Sequence, residues 1–119
     1  MVLSGPFELF DLPDRGELVT RVTAFEDGTA TIKPARAPQG VEVRMVRLHV
    51  PPEDKPHVPF YWDLTASRFL PTLVAALPAV VQGQRWVRIV KEGVAPRARF
   101  TLEVLPTDFT GPAFVGVRS

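Results

Sequence analysis

Between Gln84 and Phe100 the chain carries five bases, Arg85, Arg88, Lys91, Arg97 and Arg99, against one acid, Glu92. Trp86 stands two residues before Arg88, so an extended strand puts both on one face. Guanidiniums fork onto phosphate oxygens and aromatic faces stack on bases. Cations interleaved with an aromatic therefore suit a single strand of nucleic acid. Trp86, Arg88, Arg97 and Arg99 are the leading candidate contacts, with Arg85 and Lys91 beside them. Arg44 and Arg47, with Arg21, Lys33 and Arg36, would extend the basic track over the earlier strands. The plainer reading of the same residues is a solvated basic face with Trp86 partly covering the core.

Other chemistry is sparse. His49 and His57 are the only histidines. Grouped with Glu53, Asp54 and Asp63 they match no metal-ligand spacing. Ser4, Ser67 and Ser119 have no histidine near them in sequence, and no phosphate-cradling glycine loop or paired-acid motif occurs. The sequence thus predicts a non-catalytic protein with no metal and no cofactor. Phe60-Tyr61-Trp62 could stack on a ligand or anchor a partner. It reads better as an aromatic plug where the loop enters the helix.

Composition bounds the class. A chain of 119 residues is one domain by length, large enough to bury a core without disulfides. It has no cysteine. With 45% apolar and 23% charged residues it is globular in composition. A net charge of +1 is too small for bulk polyanion binding, so any anion site must come from local clustering. The charges do segregate: Glu8, Asp11, Asp14, Glu17, Glu26 and Asp27 precede residue 28 against only Arg15 and Arg21. Asparagine is absent, as expected of a thermophilic source; arginine outnumbers lysine eleven to three, which a GC-rich genome alone would also produce. The first residues lack the basic start of a signal peptide, and no apolar run is long enough to cross a membrane. A cytoplasmic protein is the expectation.

The elements that must position these side chains follow from periodicity. Residues 1–15 read as an acidic, apolar arm, 16–106 as the domain, and 107–119 as a tail that adds an edge strand or docks on a partner. Glu17 to Phe25 alternates. Asp27-Gly28 then predicts a tight hairpin turn, with Ala30 to Ala35 as the return strand. Ala37 to Gly40 is a turn. Val41 to Val50 is a third strand whose apolar phase shifts after Met45, which predicts a β-bulge; burial on both faces is the other solution. Leu70, Leu73, Val74 and Leu77 form a helical stripe within Ser67 to Val81. Thr65 or Ser67 is the expected cap, and Pro78 and Gly83 the expected end. Gln84 to Lys91 and Arg97 to Leu105 are two further alternating strands.

Three strands, one helix and two strands is the order of the five-stranded Greek-key OB barrel, with its helix between strands three and four. Gly83 to Leu105 (GQRWVRIVKEGVAPRARFTLEVL) resembles the closing hairpin of single-stranded-DNA-binding proteins of the OB-fold superfamily, the phage and archaeal types in particular. That resemblance implies a mainly β barrel that binds single-stranded nucleic acid, DNA more than RNA, through Trp86, Arg88, Arg97 and Arg99. The second expectation is an assembly subunit of a homo-oligomer, in which the arm, the tail and the aromatic cluster are contacts between copies.

Overall fold

A computed structural model describes residues 1–10, 12–33, 37–66, 68–94 and 97–117. Seven strands and one helix follow in the order β1 (Gly16–Arg21), β2 (Ala24–Ile32), β3 (Val41–His49), β4 (Tyr61–Leu64), α1 (Leu70–Gly83), β5 (Trp86–Glu92), β6 (Arg99–Val104) and β7 (Phe114–Val117). A 3-10 turn, Pro52–Asp54, precedes β4. The strands form two antiparallel sheets, β6-β5-β1-β7 and β2-β3-β4. The mainly β class holds. The five-stranded closed barrel does not: among the described residues there are seven strands, and β4 and β6 do not pair.

Alternation builds the first sheet. Val87 and Ile89 of β5 are fully buried on one face, opposite Trp86 and Arg88. The tail supplies β7, an edge strand on β1. In the helix, Leu70, Leu73, Leu77 and Val80 are buried at helical spacing. These residues meet Val46, Leu48 and Leu64 of the second sheet in one core between the sheets and α1. Pro71 sits in the first turn, where a missing N–H costs nothing. Pro78, expected as an end, lies inside the helix. Burial of Leu77 and Val80 on either side carries the chain through it to a left-handed Gln84. No side-chain cap bonds the helix start, so Thr65 does not cap it; Ser67 lies outside the described residues.

Two other expectations fail for a common reason, the N-terminal arm. Asp27-Gly28 is no turn. β2 runs straight through it, paired from Ala24 with His49 to Ile32 with Val41. The chain instead leaves one sheet for the other at Val22-Thr23, between β1 and β2. Gly28 serves close approach: a Cβ there would lie 2.4 Å from the Met1 carbonyl oxygen. Nor does β3 hold a bulge, since its register is unbroken against both β2 and β4. Met45, Val46, Arg47 and Leu48 are all buried because the arm covers the face that α1 does not. Leu3 packs there on Ala30 and Met45.

The arm also closes both edges of that sheet. At β2, the Leu3 N–H donates to the Thr29 carbonyl (2.7 Å) and the Thr29 N–H to that of Met1 (3.0 Å). At β4, the Phe10 N–H donates to the Asp63 carbonyl and the Asp63 N–H to that of Glu8, each 2.8 Å. Residues 1–10 thus cross the sheet as a strap. The phenyl ring of Phe10 lands edge-on against Trp62 and 6.5 Å from Phe100, filling the gap between β4 and β6.

Candidate nucleic-acid interface

Most of the predicted basic track is engaged within the protein. Arg47 is buried and holds Asp63 with both nitrogens of its fork, Nε at 2.7 Å and Nη2 at 3.2 Å. It also donates to the Ser4 carbonyl and lies 4.1 Å over the Tyr61 ring. Asp63 bonding, with burial opposing, keeps its guanidinium firmly charged. Arg85 donates to the Leu105 carbonyl and Lys91 to that of Leu12, each at 2.6 Å. Arg88 pairs with Glu103 across the β5–β6 hairpin. Lys33 is exposed at the end of β2, and Arg36 lies outside the described residues.

Arg44 is exposed and forks onto Asp27 at 3.1 and 2.9 Å. Hydrogen bonding from Arg44, partly opposed by burial, holds the Asp27 carboxyl below its usual pKa. A carboxyl with a lowered folded pKa stabilises above its unfolded value, about 4, and loses that contribution as pH falls through the folded value. Denaturant midpoints between about pH 5 and pH 2 will therefore fall less steeply in Arg44→Gln than in the parent protein, if carboxylate titration drives the fall. Identical profiles would remove the pair from the account.

Trp86 does not stand free. Its ring packs edge-on against Phe109 (5.3 Å), and the Arg21 guanidinium covers it at 5.0 Å. Gly111 approaches so closely that a Cβ would lie 3.2 Å from the indole. Arg21 is itself fixed by Asp54, which accepts from its backbone N–H (3.0 Å), its Nε (3.0 Å) and its Nη2 (2.8 Å). Bonding to Asp54 first, then attraction to it and to Glu53, raises the guanidinium pKa against the cost of burial. Of the aromatic cluster, Trp62 is buried as a plug would be, with the Lys55 ammonium 4.6 Å over its ring. But it and Tyr61 lie on strand β4 and not at the helix entrance, and Phe60 and Tyr61 are half-buried.

Two of the eight predicted side chains stand together and unpaired. Arg97 and Arg99 are exposed on one wall of an open groove of about 900 Å³. The opposite wall is the start of α1, with Arg68, Phe69 and Thr72. Among the described residues none of these three guanidiniums has an ion-pair or hydrogen-bond partner. Phe100 stacks on Phe69 in the groove, centroids 5.6 Å apart and planes 27° apart. The groove occupies the seam where a closed barrel would join its last strand to the rest. Arg68 was missed in sequence because it is a lone base at the start of the expected helix; only its place beside the helical stripe marks it. No group of metal-ligating side chains gathers among the described residues.

Comparison with protein families, curated proteins and solved structures found no match to this chain.

Proposed function

We propose that this protein is a non-catalytic module that binds single-stranded nucleic acid, and that its site is the seam groove and not the Trp86 face. One observation carries the reading: Arg68, Arg97 and Arg99 converge, without ion-pair partners among the described residues, on a groove floored by stacked phenyl rings. Guanidiniums on two walls can hold successive phosphates while bases meet the apolar floor. The fold reading that accompanies it treats β1 and β2 as one long strand bent at Val22-Thr23. The ribbon β6-β5-β1/β2-β3-β4 is then an OB-like Greek-key barrel opened at one seam, with β7 and the arm as additions.

Labelled oligo-dT, with oligo-U beside it, tests the site by fluorescence anisotropy at micromolar protein. Three phosphate contacts give a slope of about −2 in log K against log salt. Arg97→Ala with Arg99→Ala will cut affinity about tenfold at low salt and flatten the slope by more than one unit. Trp86→Phe will leave both unchanged. No anisotropy change at low salt, or loss with Trp86→Phe alone, would end the reading.

A second reading is favoured by the open sheet margins. Val104, Val115 and Val117 are exposed on the β6 and β7 strands, as apolar residues at a contact between copies would be. Light scattering that finds a strict monomer removes it.

A further inference from the structure

The protein covers some of its strand edges and, among the described residues, leaves the outer edge of β6 bare. The arm caps β2 at Thr29 and β4 at Asp63. The outer edge of β6, six residues long, has no backbone partner among the described residues. Two devices that blunt an exposed edge are missing from it: Arg99–Val104 contains no proline, and its pairing with β5 has no bulge.

Which groups it offers follows from one bond. The Leu105 N–H donates to the Trp86 carbonyl (2.9 Å), and these residues stand directly opposite in the β5–β6 register. Antiparallel pairs alternate between bonded and non-bonded. Arg99, Thr101 and Glu103 therefore turn their backbone groups to β5. Phe100, Leu102 and Val104 turn their N–H and C=O groups outward. Phe100 and Leu102 line the groove, and Arg97, Arg99 and Arg68 surround it.

We propose that an extended acidic peptide segment adds to the outer edge of β6 as a further strand, its carboxylates meeting Arg68, Arg97 and Arg99. Strand addition draws affinity from main-chain hydrogen bonds and selectivity from side chains at alternate positions. Both are present here: three outward backbone units in a row, and cations on both sides of the groove. The arm shows the mode at another edge. It pairs with β4 through backbone bonds while Glu8 sets its carboxylate 3.4 Å from the Lys55 ammonium. The inference goes beyond the nucleic-acid reading, which needs only the guanidiniums and rings; the two ligands would compete for the groove.

The probe is a labelled peptide of alternating glutamate and valine, with its lysine–valine counterpart as control. Binding of the acidic peptide should slow amide exchange at Phe100, Leu102 and Val104, while Arg99, Thr101 and Glu103 keep the protection that β5 already gives. Leu102→Pro removes an outward N–H and leaves the β5 ladder intact. It should weaken the peptide roughly tenfold and spare oligo-dT, whereas Leu102→Val should bind both as the parent does. Unchanged exchange at the three outward amides, equal binding of the lysine peptide, or binding of oligo-dT alone overturns the proposal. Should Leu102→Pro fail to fold, the exchange pattern of the parent protein decides by itself.

Discussion

Asp63→Ala will destabilise the protein by about 3–5 kcal/mol, the largest effect expected of any single polar substitution here. Asp63 is 1% exposed, and its carboxylate accepts from three donor groups on two residues. Its carboxylate takes both prongs of the Arg47 fork and the Glu8 N–H at 2.9 Å. Removing it leaves a buried guanidinium that keeps the Ser4 carbonyl, the Tyr61 ring and the field of Glu26 across the β2–β3 register, but no carboxylate in hydrogen-bond contact. An uncompensated buried charge is the dominant cost; the pair's own net contribution is small, because each ion gave up its hydration to form it. The double variant Arg47→Met, Asp63→Leu should therefore recover most of the loss. Urea midpoints of the parent, both single variants and the double variant check this. A double variant as unstable as Asp63→Ala would mean that lost packing, not the stranded charge, sets the cost.

Gly28→Ala comes second. Its new methyl carbon would fall 2.4 Å from the Met1 carbonyl oxygen, and that obstacle is backbone, not a side chain able to swing away. The first residues of the arm must lift off β2. With them go the two bonds at Thr29, about 1 kcal/mol each, and the burial of Leu3, about 2 kcal/mol. A loss of roughly 3–4 kcal/mol follows, less whatever the shorter arm recovers by repacking. Limited proteolysis should cut within residues 1–7 of the variant and not of the parent, and amide exchange at Thr29 should rise with it. A variant with unchanged exchange at Thr29 would show that the arm is held from its β4 end alone.

Local pattern carried a good part of the fold. The alternation in Gln84 to Lys91 and the stripe from Leu70 to Leu77 each announced a buried face, because alternation and helical spacing depend only on near neighbours. In Arg97 to Leu105 the same alternation leaves Phe100 and Leu102 half-buried and Val104 exposed. What failed depended on segments far away in sequence. Asp27-Gly28 carries a turn signal because glycine lacks a side chain, and the same lack serves close approach of another segment equally well. The phase shift in β3 counted apolar residues correctly; the strap that covers its second face starts more than forty residues earlier. The basic track misled for a related reason. Arg44, Arg47 and Arg88 find Asp27, Asp63 and Glu103 at separations of 17, 16 and 15 residues, the reach of a hairpin and not of a local charge count. Arg97 and Arg99 were legible as cations. Their freedom was not, since it depends on β6 having no neighbour on its outer side.

The strap has a consequence for the order in which the chain can assemble during synthesis. Glu8 leaves the ribosome 55 residues ahead of Asp63, the strand residue that will hold it. At about 5–20 residues per second the arm waits roughly three to ten seconds for its acceptor to emerge. Until Trp62 emerges Phe10 lacks the ring it packs against, while the β2–β3 hairpin, once formed, can receive the Thr29 end of the arm and bury Leu3 on Ala30 and Met45. The ends of the strap therefore dock in a fixed sequence, the Thr29 end first and the Asp63 end second. A nascent chain stalled just after β3 leaves the tunnel would be an intermediate held by one end of its strap.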